Sequence, residues 1–195
     1  MNLPQIYIDL LCAAHLLCFA TGMGTALFFD VRTLWSLNTP IRTHDIKQLE
    51  HIHLWITGAF GGLWVTGVML IYVRTGFDLA NFPPKLWVKI AIMVLMTVNA
   101  GLIGIYVLPL MRNTLGRALS DVPKLRFATT TQIAAISMFC WTSGLMLGSS
   151  VTLKTTPFEV LEPLALAWFV GVSLCCHLVM FARCRHASGA VPQSG

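Results

Sequence analysis

Four histidines stand where an imidazole is costly. His15, His51, His53 and His177 lie inside or at the edges of long apolar runs, whereas His44 falls in a connection and His186 near the C-terminus. A polar side chain in hydrocarbon is a functional hypothesis by default. Helical rise of about 1.5 Å per residue sets the depths, with the end where the chain begins taken as outer. His53 then lies within roughly 3 Å of the inner end of its run, His177 about 8 Å from the inner end of its own, and His15 about 14 Å below the outer end. His51 and His53, two residues apart, point to different helix faces, so only one of them looks into a bundle. Ile56, Phe60 and Gly67 continue the side of His53.

Imidazoles at these depths fit axial ligation of haem iron, and haem b held between helices is a common membrane electron carrier. Two sites are expected. The inner one pairs His53 (or His51) with His177. The outer one centres on His15, in a polar cluster that also holds Asp9, Lys89 and Glu162. Asn99, near mid-depth, is placed to join either. Gly22, Gly24, Gly58, Gly61, Gly62, Gly67, Gly101, Gly104, Gly144, Gly148 and Gly171 would give a flat macrocycle room, or simply let helices approach closely. Copper is the alternative metal, through His15, Met23, Met93 and Met96, because imidazole and thioether are borderline or soft ligands. Zinc lacks the clustered short spacings it needs. The six cysteines include no Cys-x-x-Cys and read as small apolar filler. No phosphate loop and no paired acid and base are present.

The elements that must carry these residues follow from where charge is missing. Of 195 residues, 56% are hydrophobic and 11% charged, with mean hydropathy +0.73. A soluble domain carries about 25% charged residues. That excludes a soluble enzyme, a nucleic-acid module (despite a net charge of +5) and a disordered chain. Five runs reach the ~20 residues that cross a bilayer as helix: about 6–29, 52–73, 86–109, 127–149 and 160–182. Asp9, Lys89 and Glu162 are the charged residues inside them. The first run, with Asp9 and His15 in it and no basic leader, reads as a span rather than a cleaved signal.

Arg32, Arg42, Lys47, Arg112, Arg117, Lys124, Arg126, Arg183 and Arg185 gather at one end, and Arg74, Lys85, Lys89 and Lys154 at the other. By the positive-inside rule the first end is cytoplasmic, so the N-terminus faces out and the C-terminus in. Tyr7, Trp35, Trp55, Tyr72 and Trp87 fall near the interfaces as an aromatic belt. Residues 1–185 are expected to form one transmembrane domain, and 186–195 a flexible tail.

The order of short motifs resembles a known superfamily. A first-helix His is followed by Val31-Arg32, the second run ends in Thr66-Gly67-x-x-Leu70, and the third opens Leu86-Trp87-Val88-Lys89. Residues 10–105 are thereby similar to the small bacterial membrane proteins that include the HemJ-type protoporphyrinogen oxidases and the CopD copper-resistance membrane domain. The resemblance implies a haem b site made by His15 and Lys89. Members often carry another His beyond that Lys, where this chain has Asn99 and Ala100, and this chain adds a fifth run holding His177.

The expectation is therefore an all-α integral membrane bundle of five helices, multi-pass in a bacterial inner membrane. It would bind one or two haems b and move electrons between a donor such as quinol and a partner subunit or second copy. The alternatives are a protoporphyrinogen-oxidase-like enzyme, a copper transport or tolerance protein, and a non-catalytic small subunit of a larger complex.

Overall fold

A computed structural model describes residues 3–154 and 156–188. The regular elements among them are all helical: α1 (Leu3–Ser36), α2 (Thr43–Thr75), α3 (Pro84–Leu102), a π turn (Ile103–Val107) running directly into α4 (Leu108–Asn113), α5 (Lys124–Ser149) and α6 (Phe158–Ser188). Their ends have local causes. Asp45 accepts from the backbone N–H of Arg42 (2.9 Å) at the start of α2, where the unpaired amides and the helix dipole favour a carboxylate. Gly76, at φ 63°, closes α2 in the left-handed conformation that glycine adopts without strain. Pro84 starts α3, where a missing N–H costs nothing.

Gln5–Ser36, Thr43–Thr75, Pro84–Asn113 and Phe158–Cys184 are long and apolar enough to cross a membrane, which marks the chain as a multi-pass membrane protein. These helices outrun the lengths read from the sequence. α1 continues two turns past Phe29, α2 begins nine residues before Ile52, and α6 continues to Ser188. Asp30 and Arg32, read as loop charges, therefore ride on α1. Of the expected tail, residues 189–195 lie outside the described residues.

α5 is not among those four helices, yet it is the most enclosed. Thr131, Ile133, Ala135, Phe139, Cys140, Trp141, Ser143 and Leu147 are all buried on it. Its Thr129, Thr130, Thr131 and Thr142 hydroxyls each donate to a carbonyl one turn back (2.7–3.0 Å), which satisfies them in an apolar setting. A helix that faces protein rather than lipid need not be uniformly apolar.

The helices form two layers. α1 and α2 pack along most of their length, while α5 packs on both α3 and α6. The layers meet where α1 crosses α5. A Cβ on Gly22 would fall into the Trp141 ring, and one on Gly144 would stand 2.8 Å from Phe19. Phe19 and Trp141 themselves meet edge to face, centroids 5.6 Å apart. Within the first layer Gly62 makes way for the Cys18 sulfur in the same manner. These glycines serve close helix approach; Gly24, Gly58, Gly61, Gly101, Gly148 and Gly171 have no such neighbour. α2 and α3 approach only sparsely, with Trp64 Nε1 donating to Thr97 Oγ1 (3.3 Å) across that seam.

At the inner end a second apolar cluster, centred on Leu37, Ile41, Leu49, Leu108, Met111 and Leu119, ties the connections together. Arg112 pairs with Glu50 (2.6 Å), Arg32 with Asp45 (3.3 Å), and Arg183 stacks over Trp35 (5.3 Å). Tyr7, Trp35, Trp55, Tyr72 and Trp87 are exposed on the outer surface of the bundle.

Candidate functional site

His15 sits halfway down the first layer, where α1 meets α2. Its Nδ1 lies 2.7 Å from Oγ1 of Thr66. The Thr66 hydroxyl has a single proton, and it points to the Gly62 carbonyl at 2.6 Å. With that proton given to Gly62, the shorter of the two contacts, the oxygen accepts from His15, which is the tautomer that protonates Nδ1 and leaves the Nε2 lone pair bare. This is how metal-ligating histidines are prepared, with one nitrogen anchored and the other bare. Gly67 makes room: a Cβ there would stand 3.5 Å from Cε1 of the ring.

The side of the bundle around His15 is basic. Lys89 on α3 and Arg74 at the end of α2 both act electrostatically on the ring. Arg74 reaches back along α1 to donate to the Cys12 sulfur (3.7 Å), one turn before His15. Asp9 and Glu162, expected in the same cluster, are exposed, and Asp9 accepts from Gln5 one turn earlier (3.0 Å). Lys85, counted in the sequence as a loop charge, is 7% exposed and donates to the Ser150 carbonyl at 2.6 Å, pinning α3 to the end of α5.

The inner histidines are placed separately. His51 is exposed and bonds its own helix at the Lys47 carbonyl (2.8 Å). His53 faces inward, near Gly104 (3.7 Å to a Cβ there), on a chamber of about 120 Å³ between the two layers. His177 belongs to the α5–α6 contact. Its Nε2 lies 3.0 Å from Oε1 of Gln132, whose amide donates to Ser173 (3.3 Å). His177 does not line the chamber that His53 faces. His44, expected in a connection, is exposed on the first turn of α2.

The chamber brings together residues that sequence reasoning kept apart: Asp30 from α1, His53 from α2 and Asn99 from α3, with Ser137 and Trp141 from α5. Asn99 is 2% exposed and its Oδ1 has no hydrogen-bond partner. Asp30 was missed because the first run was ended at Phe29, two turns before α1 ends at Ser36. The continuing apolar positions Val31, Leu34, Trp35 and Leu37 were the signal for a longer helix.

The methionines considered for copper pack instead in the apolar core. Met96 is buried, with Met23 and Met93 against the same cluster. Among the described residues no three His, Cys, Asp or Glu side chains converge as a metal-binding group. Comparison of the chain with family models, with curated proteins and with solved structures gives no match.

Proposed function

We propose that the chain is a multi-pass membrane protein that binds haem b through Nε2 of His15 and takes part in electron transfer. The observation that carries this reading is the His15–Thr66–Gly62 relay. Two successive hydrogen bonds of 2.7 and 2.6 Å hold the imidazole in one tautomer and leave the ligating nitrogen free, inside an apolar helix pair. A nitrogen so placed with no partner loses hydrogen-bond energy unless a ligand repays it. The donor set fits a haem, whose four pyrrole nitrogens need only axial completion, better than a bare metal ion, which needs a fuller protein cage.

Lys89 and Arg74 supply positive charge beside the ring and suit the two propionates, with Lys89 also the candidate second ligand. When bound, haem supplies one-electron chemistry; the protein's part is to hold the imidazole, balance the propionates and keep water from the iron. The donor is taken to be a membrane quinol, and the acceptor a partner subunit or second copy. The positive-inside count supports five spans with the N-terminus out, in a bacterial inner membrane.

Purified protein in mild detergent tests the reading. A reduced-minus-oxidised spectrum with the sharp α-band of b-type haem, lost in His15→Ala, is the expected result. A colourless, iron-free wild type overturns it. Bound copper without haem would move the chain to copper handling. Neither would leave a packing subunit.

A further inference from the structure

We propose that the inner chamber binds the ring of a hydroquinone, making it the docking site for a lipid-soluble quinol. This deepens the redox reading, on which it rests for the role of the ligand but not for the fact of binding.

Beside the hydroxyls of Thr33, Thr57, Thr130 and Ser137, three other polar side chains reach the chamber from three helices. Asp30, His53 and Asn99 line it, and among the described residues neither the Asp30 carboxylate nor the His53 ring makes a hydrogen bond or ion pair. The Asn99 Oδ1 is buried and orphaned. Buried polar groups are nearly always satisfied, because each unpaired one costs about 1–3 kcal/mol. One buried orphan, with a carboxylate and an imidazole that make no side-chain hydrogen bond beside it on a largely apolar space, describes a site whose partners arrive with the ligand.

Size and chemistry narrow the ligand. A volume of about 120 Å³ is of the order of the ~150 Å³ apolar cavity that takes up one benzene ring. Phe29, Phe60, Ile56, Ile133 and Trp141 give it apolar and aromatic walls. The orphaned Oδ1 of Asn99 requires a donor, and a carboxylate and an imidazole can accept a second proton-bearing group. A ring with two hydroxyls meets both demands. The oxidised quinone carries two carbonyls and cannot donate to Oδ1, so the chamber selects the reduced form. α2, which carries His53, and α3, which carries Asn99, approach each other only sparsely, and an isoprenoid tail would leave between them.

The test uses 2,3,5-trimethylhydroquinone and its quinone, titrated calorimetrically against the full chain in lipid nanodiscs, with empty nanodiscs as reference. Wild type should bind one hydroquinone per chain, at least tenfold tighter than the quinone. Asn99→Leu should erase that preference while unfolding at the same or a higher temperature, because it removes an unpaired buried acceptor. A merely structural Asn99 would instead lose stability. If Asn99→Leu fails to fold, Ser137→Leu, which fills the chamber, decides: binding must fall at least tenfold.

Absence of saturable binding, equal affinity for the two redox forms, or binding untouched by Ser137→Leu each overturns the proposal. The same titration on His15→Ala separates it from the haem reading. Retained binding there is expected, and a colourless wild type that binds hydroquinone would refute the haem site alone.

Discussion

Nδ1 of His15 and Oγ1 of Thr66 meet at 2.7 Å, joining side chains 51 residues apart across the α1–α2 contact. With the Thr66 proton given to its own helix at Gly62, one turn of α2 sets which nitrogen of a ring on α1 carries the proton. A hydroxyl in a helix usually serves only its own backbone; this one also sets the face that the imidazole offers to the bundle.

Thr66 should matter nearly as much as the ligand. Thr66→Val removes the acceptor while keeping the shape, and outer-shell losses of this kind cost about 10–100-fold in metal-site affinity. Haem content measured against protein should fall accordingly in Thr66→Val. Thr66→Ser should restore it. Full occupancy in Thr66→Val would show that the relay has no part in binding.

His177 should behave differently. Its Nε2 is engaged by Gln132, which in turn reaches Ser173. His177→Ala should leave the reduced-minus-oxidised spectrum unchanged and lower the unfolding midpoint, as loss of a hydrogen bond worth about 0.5–1.5 kcal/mol requires. A loss of α-band intensity in this variant would place a ligand at the α5–α6 contact.

The layer crossing admits no added methyl group. Gly22→Ala drives a Cβ into the ring of Trp141, which is 2% exposed and held against Phe19. Overpacking a closed core costs about 1–3 kcal/mol. Thermal or denaturant unfolding in detergent should show this, whereas Gly24→Ala, with open space at its Cβ, should be close to neutral.

Lys85 tests the outer end of the same layer. Lys85→Met keeps the apolar stem and removes the donor to the Ser150 carbonyl. The freed carbonyl should cost about 1–3 kcal/mol. An unchanged midpoint would mean that water or the loop satisfies it.

Topology is open to a direct measurement. A reporter fused after Gly195 should be active in the cytoplasm, and periplasmic activity would reverse the charge-based assignment.

Much of the architecture was legible because lipid imposes one rule: apolar runs of sufficient length become helices. Charge was the misleading cue at the edges. Asp30 and Arg32 looked like the end of a span, yet apolar residues resume at once and the helix continues to Ser36. The orientation of His53 and His51 followed from their spacing, one facing inward and one exposed. Their partners did not. Threonine and glutamine are common on helices, and nothing in the chain marks Thr66 or Gln132 as the residue that an imidazole 51 or 45 positions away will meet. Asn99 stood out in the sequence as a polar residue at mid-depth; that it has no partner is visible only once the helices surround it.

The π turn at Ile103–Val107 is one residue wider than an α turn, as the bond from the Leu108 amide to the Ile103 carbonyl shows. Such a turn is an α-helix with one residue inserted, and it advances everything beyond it by about 100° around the axis. The offset brings Met111 to within about 20° of Asn99 around the axis, where an unbroken α-helix would set them about 120° apart, and both line the chamber. Shortening the stretch by one residue would leave a longer, straighter helix with its two halves out of phase. The length of this segment is thus a phase setting, fixed as firmly as any side chain.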